Sequence, residues 1–213
     1  MKKLLLVITI LAAATLGCKM LGGSGTSSGG GGTATGGSDP KADVIAASKK
    51  LVDLKSFSAK MEGMGQTEIK QQVDYVAPDR YHVMYQGGNA VGMELIYIGN
   101  DSYMKSGPKW TKMPGGNATA IPNLRDSFTE QGLKTLTDVK FEGEDTANGK
   151  SCLVYTYKNQ TPVGAYPFSC KMWVDKASGI PVKNVIDYTN GMLKQMTVNY
   201  DTETPVTIEA PAT

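Results

Sequence analysis

The stretch from residue 168 to residue 201, "FSCKMWVDKASGIPVKNVIDYTNGMLKQMTVNYD", decides the architecture. Ser178-Gly179 and Asn190-Gly191 are turn signals that cut it into three strand-like runs, and short turns join neighbours into an antiparallel sheet. A strict two-residue turn at Asn190-Gly191 would set Ile186 opposite Gln195. One extra loop residue sets Ile186 opposite Met196 and Val182 opposite Tyr200. Because a one-residue slip exchanges the buried and exposed faces, the bulged turn is the expectation.

Upstream, the runs near 138–145 and 150–158 extend the same pattern, with a turn at Asn148-Gly149. The five runs near 138–145, 150–158, 167–175, 181–188 and 192–201 therefore read as a meander. Cys152 and Cys170 fall in adjacent runs, "KSCLVYTYKN" and "PFSCKMWVDK". If they face each other, Val154 faces Phe168, with Met172 and Val174 on the same apolar face. The chain has three cysteines, and an odd number in an exported protein leaves one over once a bridge is drawn. A disulfide between Cys152 and Cys170 is the expectation; two reduced thiols acting as small apolar fillers are the alternative.

The first half is also strand-rich. "SFSAKMEG" alternates Phe57, Ala59 and Met61; "TEIKQQVDYV", "DRYHVMYQ", "VGMELIYIG" and "DSYMKSG" follow, punctuated by Ala77-Pro78, Gly87-Gly88 and Asn100-Asp101. One helix precedes them. Asp39 is its N-cap and Pro40 its first position, and the pairs Val44/Leu51, Ile45/Val52 and Ala47/Leu54 recur seven apart as one apolar stripe. Between the halves, "IPNLRDSFTEQGLKTL" (121–136) carries a weaker helical pattern. The last eleven residues, "ETPVTIEAPAT", read as a final edge strand or a frayed tail.

The N-terminus has a separate purpose. Met1-Lys2-Lys3, an apolar run from Leu4 to Ala14 and the small or uncharged Thr15-Leu16-Gly17 have the layout of a secretory signal. The apolar run is shorter than the roughly 20 residues a spanning helix needs. The junction at Cys18 resembles the bacterial lipobox, in which that cysteine is diacylated and becomes the first residue of the mature chain; Leu16, Gly17 and Cys18 fit, and Thr15 departs from the usual Leu. Residues 19–38 are nearly all Gly, Ser and Thr, a flexible coil with a mean reach of roughly 25 Å. Lys19 stands where an Asp would resemble an inner-membrane retention signal, which points to the outer membrane if the host has one. The expected organisation is residues 1–17 signal peptide, 18–38 lipidated cysteine and linker, and 39–213 a single domain.

The net formal charge of +2 falls to about zero when Lys2 and Lys3 leave with the signal, so no bulk field draws nucleic acid. His82 is the single histidine, and no GxSxG, HExxH, P-loop or dinucleotide fingerprint appears. Two cysteines without CxxC spacing and one histidine do not make a standard zinc set. No enzyme, metal or cofactor is expected. Of eleven methionines, ten follow the signal segment and are spread over most of the strands, and unbranched Met side chains adapt to irregular apolar partners as readily as they fill cores.

The order of elements, with "APDRY" after a strand, "IYIGNDSYMK" as strand, turn and strand, and "WVDKASGIPVK" as strand, turn and strand with Gly-Ile-Pro, resembles the LolA/LolB-like lipoprotein-carrier superfamily and its LppX/LprG-type relatives over about residues 40–202. The resemblance implies an α+β, mainly β fold: a strongly curved antiparallel sheet forming an unclosed half-barrel, with an N-terminal helix and an inserted helix across the concave face. It further implies an apolar cavity for acyl chains or another lipid. Met61, Met84, Met93, Ile96, Met104, Val154, Phe168, Met172, Val174, Ile186 and Met196 are the cavity candidates. Arg80, one of two arginines, stands where some carriers place an arginine under the helical lid.

The expected function is that of a membrane-anchored extracytoplasmic lipoprotein of the cell envelope that binds a lipid or lipoprotein acyl chain for carriage or presentation, with a protein partner for loading or release. The alternative is an envelope sensor or protein-interaction module on the same fold.

Overall fold

The computed structural model describes residues 37–66, 68–114, 133–159, 167–189 and 191–213. The signal segment, Cys18, most of the linker, Arg125, Asn190 and the 121–132 part of the inserted helix lie outside them. The chain divides into Met1–Gly30 and Gly31–Thr213, and every described residue belongs to the second unit.

Helix α1 (Pro40–Val52) starts where its residues dictate. The Asp39 carboxylate accepts the Ala42 N–H at 3.0 Å, Pro40 opens the first turn, and Lys49 and Lys50 sit in the last turn, where cations complement the helix dipole. Val44, Ala47, Ser48 and Leu51 form its buried face.

Eleven strands follow: β1 (Ser56–Gly65), β2 (Ile69–Val76), β3 (Arg80–Tyr85), β4 (Glu94–Ile98), β5 (Asp101–Ser106), β6 (Lys109–Met113), β7 (Leu136–Ala147), β8 (Lys150–Asn159), β9 (Phe168–Asp175), β10 (Pro181–Tyr188) and β11 (Leu193–Asp201). They form one antiparallel sheet in the order β6-β5-β4-β3-β2-β1-β11-β10-β9-β8-β7. Two meanders are thus joined by one long-range pairing, β1 against β11, with Ala59 opposite Tyr200 and Met61 opposite Val198. β6 and β7 remain edges, so the curved sheet is an unclosed half-barrel. Both edges are guarded. β7 carries two register breaks and a run of carboxylates at Glu142, Glu144 and Asp145, and β6 carries Lys109 and Lys112, features that oppose edge-to-edge pairing.

Turn chemistry fixes the registers. Asn148 (φ 51°) and Gly149 (φ 75°) make a two-residue turn with both central residues left-handed, which matches the twist of β7 and β8. Ile186 pairs with Met196, the register of the bulged turn.

The cysteine expectation is overturned. β8 runs on to Asn159 opposite Phe168, so Cys170 pairs with Tyr157 and Cys152 pairs with Asp175. Five strand positions separate them, roughly 17 Å at 3.4 Å per residue, against an upper limit near 7 Å for a bridged pair. They also point to opposite faces, Cys170 among Tyr157 and Met172 and Cys152 among Val154 and Trp173. Both are free, buried thiols.

The C-terminus is neither edge strand nor frayed. Asp201 Oδ1 accepts the Glu203 and Thr204 N–H groups, each at 3.0 Å, and turns the chain out of β11. The segment then crosses the face of the sheet away from α1, tied by Lys150 to Glu203 at 2.6 Å and by the buried Ile208 packed on Ile96 and Tyr103.

Candidate functional site

Residues of alternate parity separate the two faces of the sheet. The face that carries α1 is apolar along its length. One cluster joins Leu51 of α1 to Phe57, Ala59, Met61, Val73, Tyr75, Val83, Tyr97, Val198 and Tyr200. The other joins Val44 and Ala47 to Leu153, Tyr155, Tyr157, Cys170, Met172 and Val174.

Helix α1 is pinned toward the β7–β10 half. Lys41 Nζ donates to the Leu136 carbonyl at 2.9 Å, Tyr155 Oη donates to Asp43 Oδ2 at 3.0 Å, and Lys50 Nζ donates to the Ser178 carbonyl at 2.8 Å. Its 13 residues span about 20 Å. Eleven strands spread over roughly 48 Å at about 4.8 Å per gap. One helix therefore leaves part of the apolar face without its cover. At the strand ends near Gly63 that remainder is only half-buried: Tyr85, Leu95, Ile186 and Met196 all pack against the central cluster while keeping exposed surface. Gly63 is needed there, because a Cβ would stand 2.8 Å from Leu193 Cδ1 and 3.3 Å from Ile69 Cβ.

Between α1 and the helical turn at Leu133-Lys134, a groove of about 310 Å³ is lined by Lys41, Ile45, Lys49, Leu133 and Lys134. It lies at the lower end of the roughly 300–1,000 Å³ of small-ligand sites. A larger cleft of about 830 Å³ lies on the opposite face, under the C-terminal segment, where Ser58, Lys60, Gln72, Asp74 and Asp201 make it polar. Size favours the second, but apolar lining and continuity with the helix-bearing face favour the first.

Electrostatics mark the same face as dry. Burial pushes the Cys170 thiol up to about 12 against the opposing pull of its Tyr157 hydrogen bond. Burial likewise raises the Tyr157 and Tyr200 hydroxyls well above the ordinary tyrosine value. Among the described residues, two buried side-chain oxygens of this face have no hydrogen-bond partner, Ser48 Oγ on α1 and Asn184 Oδ1 on β10, although Asn184 Nδ2 donates to Tyr200 Oη at 3.3 Å.

The structure divides the candidate residues between the faces. Met61, Met172 and Val174 are buried on the helix-bearing face, with Phe168, Ile186 and Met196 partly exposed there. Met104 pairs with Leu95 and so shares that face. Met93 precedes β4, its carbonyl accepting the Tyr85 N–H at 3.0 Å. Met84 lies opposite Gln72 and Glu94 on the other face. Val154 is also on the other face, packed with Trp173 and Cys152, as is Ile96, packed with Tyr103 and Ile208. These three lie on strands whose parity the hairpin registers set, and alternation alone does not reveal which parity faces in.

Arg80 corrects the lid expectation. Its Nη1 donates to the Ile208 carbonyl at 2.8 Å, clasping the C-terminal segment on the face opposite α1. Trp110 joins the same satellite cluster. Beside it, His82 Nε2 lies 2.9 Å from Glu94 Oε2 and Lys105 Nζ lies 2.6 Å from Glu94 Oε1. The Lys105 hydrogen bond, foremost, holds the Glu94 carboxyl below the usual range. His82 thus belongs to a structural ion cluster on the outer face. Among the described residues no group of three His, Cys, Asp or Glu could hold a metal ion, and no helix is long and apolar enough to cross a membrane.

Sequence reasoning missed Ile45, Leu133, Lys41, Lys49 and Lys134. Lys41, Ile45 and Lys49 recur four apart, the spacing of one helix face, and that was the signal available.

No protein-family model matches the chain, and no curated protein does. Its fold is similar to solved structures. Lipoprotein LppX of Mycobacterium tuberculosis superposes with a TM-score of 0.63 at 17% identity, over 80% of this chain and 98% of that one. LprF of Mycobacterium bovis gives 0.60 at 17% identity, over 82% and 99%. MucB gives 0.52 at 14% identity, over 81% of this chain and 63% of that one. The chain therefore shares the fold of LppX and LprF.

Proposed function

We propose that this protein is an anchored lipoprotein of the cell envelope that binds a lipid acyl chain on its helix-bearing face, for carriage or presentation. The observation that carries this reading is the half-buried apolar row of Tyr85, Leu95, Ile186 and Met196 on a sheet too wide for α1 to cover. An apolar surface that stays accessible at the mouth of a dry concavity is what an acyl chain fills, at roughly 0.8 kcal/mol per buried methylene. Lipoprotein LppX has a similar fold. In this reading Cys18 bears the anchor and residues 19–38 give the domain its reach from the membrane surface.

The test is native mass spectrometry of the full chain as the Cys18→Ser variant, which carries no anchor, followed by organic extraction. About one lipid per chain is the expected result. Two further variants separate the faces. Met196→Lys places a charge on the helix-bearing face and abolishes lipid retention with the fold kept; Met84→Lys places it on the other face and leaves retention unchanged. An apo mass that also takes up no fluorescent fatty acid overturns the proposal and leaves the sensor or interaction module in its place.

A further inference from the structure

The cleft on the face opposite α1 has a floor that the strand registers lay out in two rows. Ser58 of β1 stands between Asp74 of β2 and Asp201 of β11, and Lys60, next on the same face, stands between Gln72 and Asn199. All six line the cleft of about 830 Å³, and the C-terminal segment walls it with Pro205 and Val206. Asp74 is held in place: its Oδ1 accepts the Ser58 hydroxyl at 2.5 Å and the Gln72 Nε2 at 2.9 Å. A carboxylate fixed through one oxygen keeps the acceptor capacity of the other, and Gln72, whose Nε2 turns to Asp74, keeps its carbonyl oxygen as an acceptor. Among the charged groups of the described lining residues, Lys150 is bound to Glu203 at 2.6 Å, and Asp201 Oδ1 accepts the turn amides of Glu203 and Thr204. Lys60 and Asp74 remain, one charge of each sign, so these groups favour a neutral ligand over an ion. Neighbouring positions of the Gln72, Lys60 and Asn199 row lie about 4.8 Å apart, close to the advance of one sugar ring along a glycan.

We infer that this cleft binds a neutral saccharide chain, laid across β2, β1 and β11 with its hydroxyl edges on Asp74, Gln72, Lys60 and Asn199 and a C–H face against Pro205 and Val206. Each hydroxyl both donates and accepts, so two neighbouring hydroxyls match a carboxylate or a side-chain amide together. The bonds to Asp74 and Lys60 are charge-assisted and are the stronger ones. The size of the cleft lies in the upper part of the roughly 300–1,000 Å³ of small-ligand sites, room for more than one ring. The site lies on the face opposite the acyl-chain site proposed above and does not depend on it. One domain then holds a lipid on one side of its sheet and a glycan on the other.

The probes are two neutral, extended glycans, cellotetraose and tetra-N-acetylchitotetraose, titrated into the full-length Cys18→Ser protein and followed by saturation-transfer difference NMR. Saturation is expected to pass to the ring protons of at least one of them. Lys60→Met, at an exposed position, and Asp74→Asn should each weaken that binding at least roughly fivefold, the loss of about one net hydrogen bond, with circular dichroism reporting their folds. Glu62→Gln, at an exposed position of the same face outside the cleft, should leave it unchanged. Affinity should also hold at about 1 M NaCl, where the Debye length is about 3 Å, because the ligand carries no charge. Lipid retention by native mass spectrometry should be the same in Lys60→Met as in its parent. No transfer to either tetrasaccharide at millimolar concentration, or transfer indifferent to both Lys60→Met and Asp74→Asn, overturns the saccharide site and leaves the lipid-binding reading standing. Binding that disappears at high salt overturns the assignment of a neutral ligand.

Discussion

Two buried reduced thiols should prove inert in the folded chain. In the folded protein Cys170 is packed among Tyr157 and Met172, and burial raises its pKa to about 12. The thiolate is the species that alkylates. At pH 8 about one part in ten thousand of Cys170 is ionised, against roughly a quarter of an ordinary thiol with pKa near 8.5. Native-state alkylation is therefore slowed roughly two-thousand-fold by ionisation alone, before access is counted. Cys152 is raised in the same direction, chiefly by burial. The assay is iodoacetamide labelling of the Cys18→Ser protein followed by intact mass: no label on the folded chain over hours, two labels in denaturant without any reductant, and a native rate that climbs about tenfold per pH unit. A Cys152–Cys170 linked peptide, or native labelling of Cys170 at the rate of a free thiol, would refute both the register of β8 on β9 and the dryness of the helix-bearing face.

The same burial makes stability fall in alkali. Cys170, Tyr157 and Tyr200 all have raised folded values, so their contribution is complete below the unfolded values near 8.5 and 10 and is lost above them as the unfolded chain ionises first, by up to about 1.4 kcal/mol per pH unit per group; a urea midpoint that stays flat from pH 8 to 11 would contradict this. Leu51→Ala, at a side chain 2% exposed between α1 and the central cluster, should cost about 2–5 kcal/mol by urea melting, and a cost under 1 kcal/mol would mean that α1 does not dock there. Arg80→Ala should release the C-terminal segment to carboxypeptidase and lower stability by about 1 kcal/mol, with lipid retention unchanged; loss of retention without tail release would return Arg80 to a lid role.

What the sequence made legible was local. Each strand of the second meander, the N-cap at Asp39 and the bulged register of Ile186 on Met196 follow from turn residues and alternation within a few positions of each other. The pairing of β1 with β11 was not legible, because residues such as Ala59 and Tyr200 meet across almost the whole domain and nothing local encodes their contact. The disulfide expectation failed for the same kind of reason. Cys152 and Cys170 sit in adjacent strands, but the length of β8 beyond Cys152 sets their offset, and that length depends on where the connection leaves Asn159. The candidate methionines shared this fate: a strand shows its alternation in sequence and hides which parity faces α1, so Met196 and Met84 look alike until registers are known.

The long-range pairing also explains why this fold has an open apolar surface at all. Because β11 returns to β1, the first strand becomes the sixth of eleven, and α1, joined to it by the three residues Asp53–Lys55, is held over the middle of the sheet. From there it can lean to one side only, and Lys41, Asp43 and Lys50 commit it to the β7–β10 half. Had β11 paired at an edge, α1 would sit over a flank, and neither half would require a second cover. The C-terminal segment cannot supply one, because Arg80 and Ile208 hold it on the opposite face. The half-buried row from Leu95 to Ile186 is thus a consequence of strand order. In the lipid-binding reading proposed above, a ligand seated on this row gains burial that α1 leaves available.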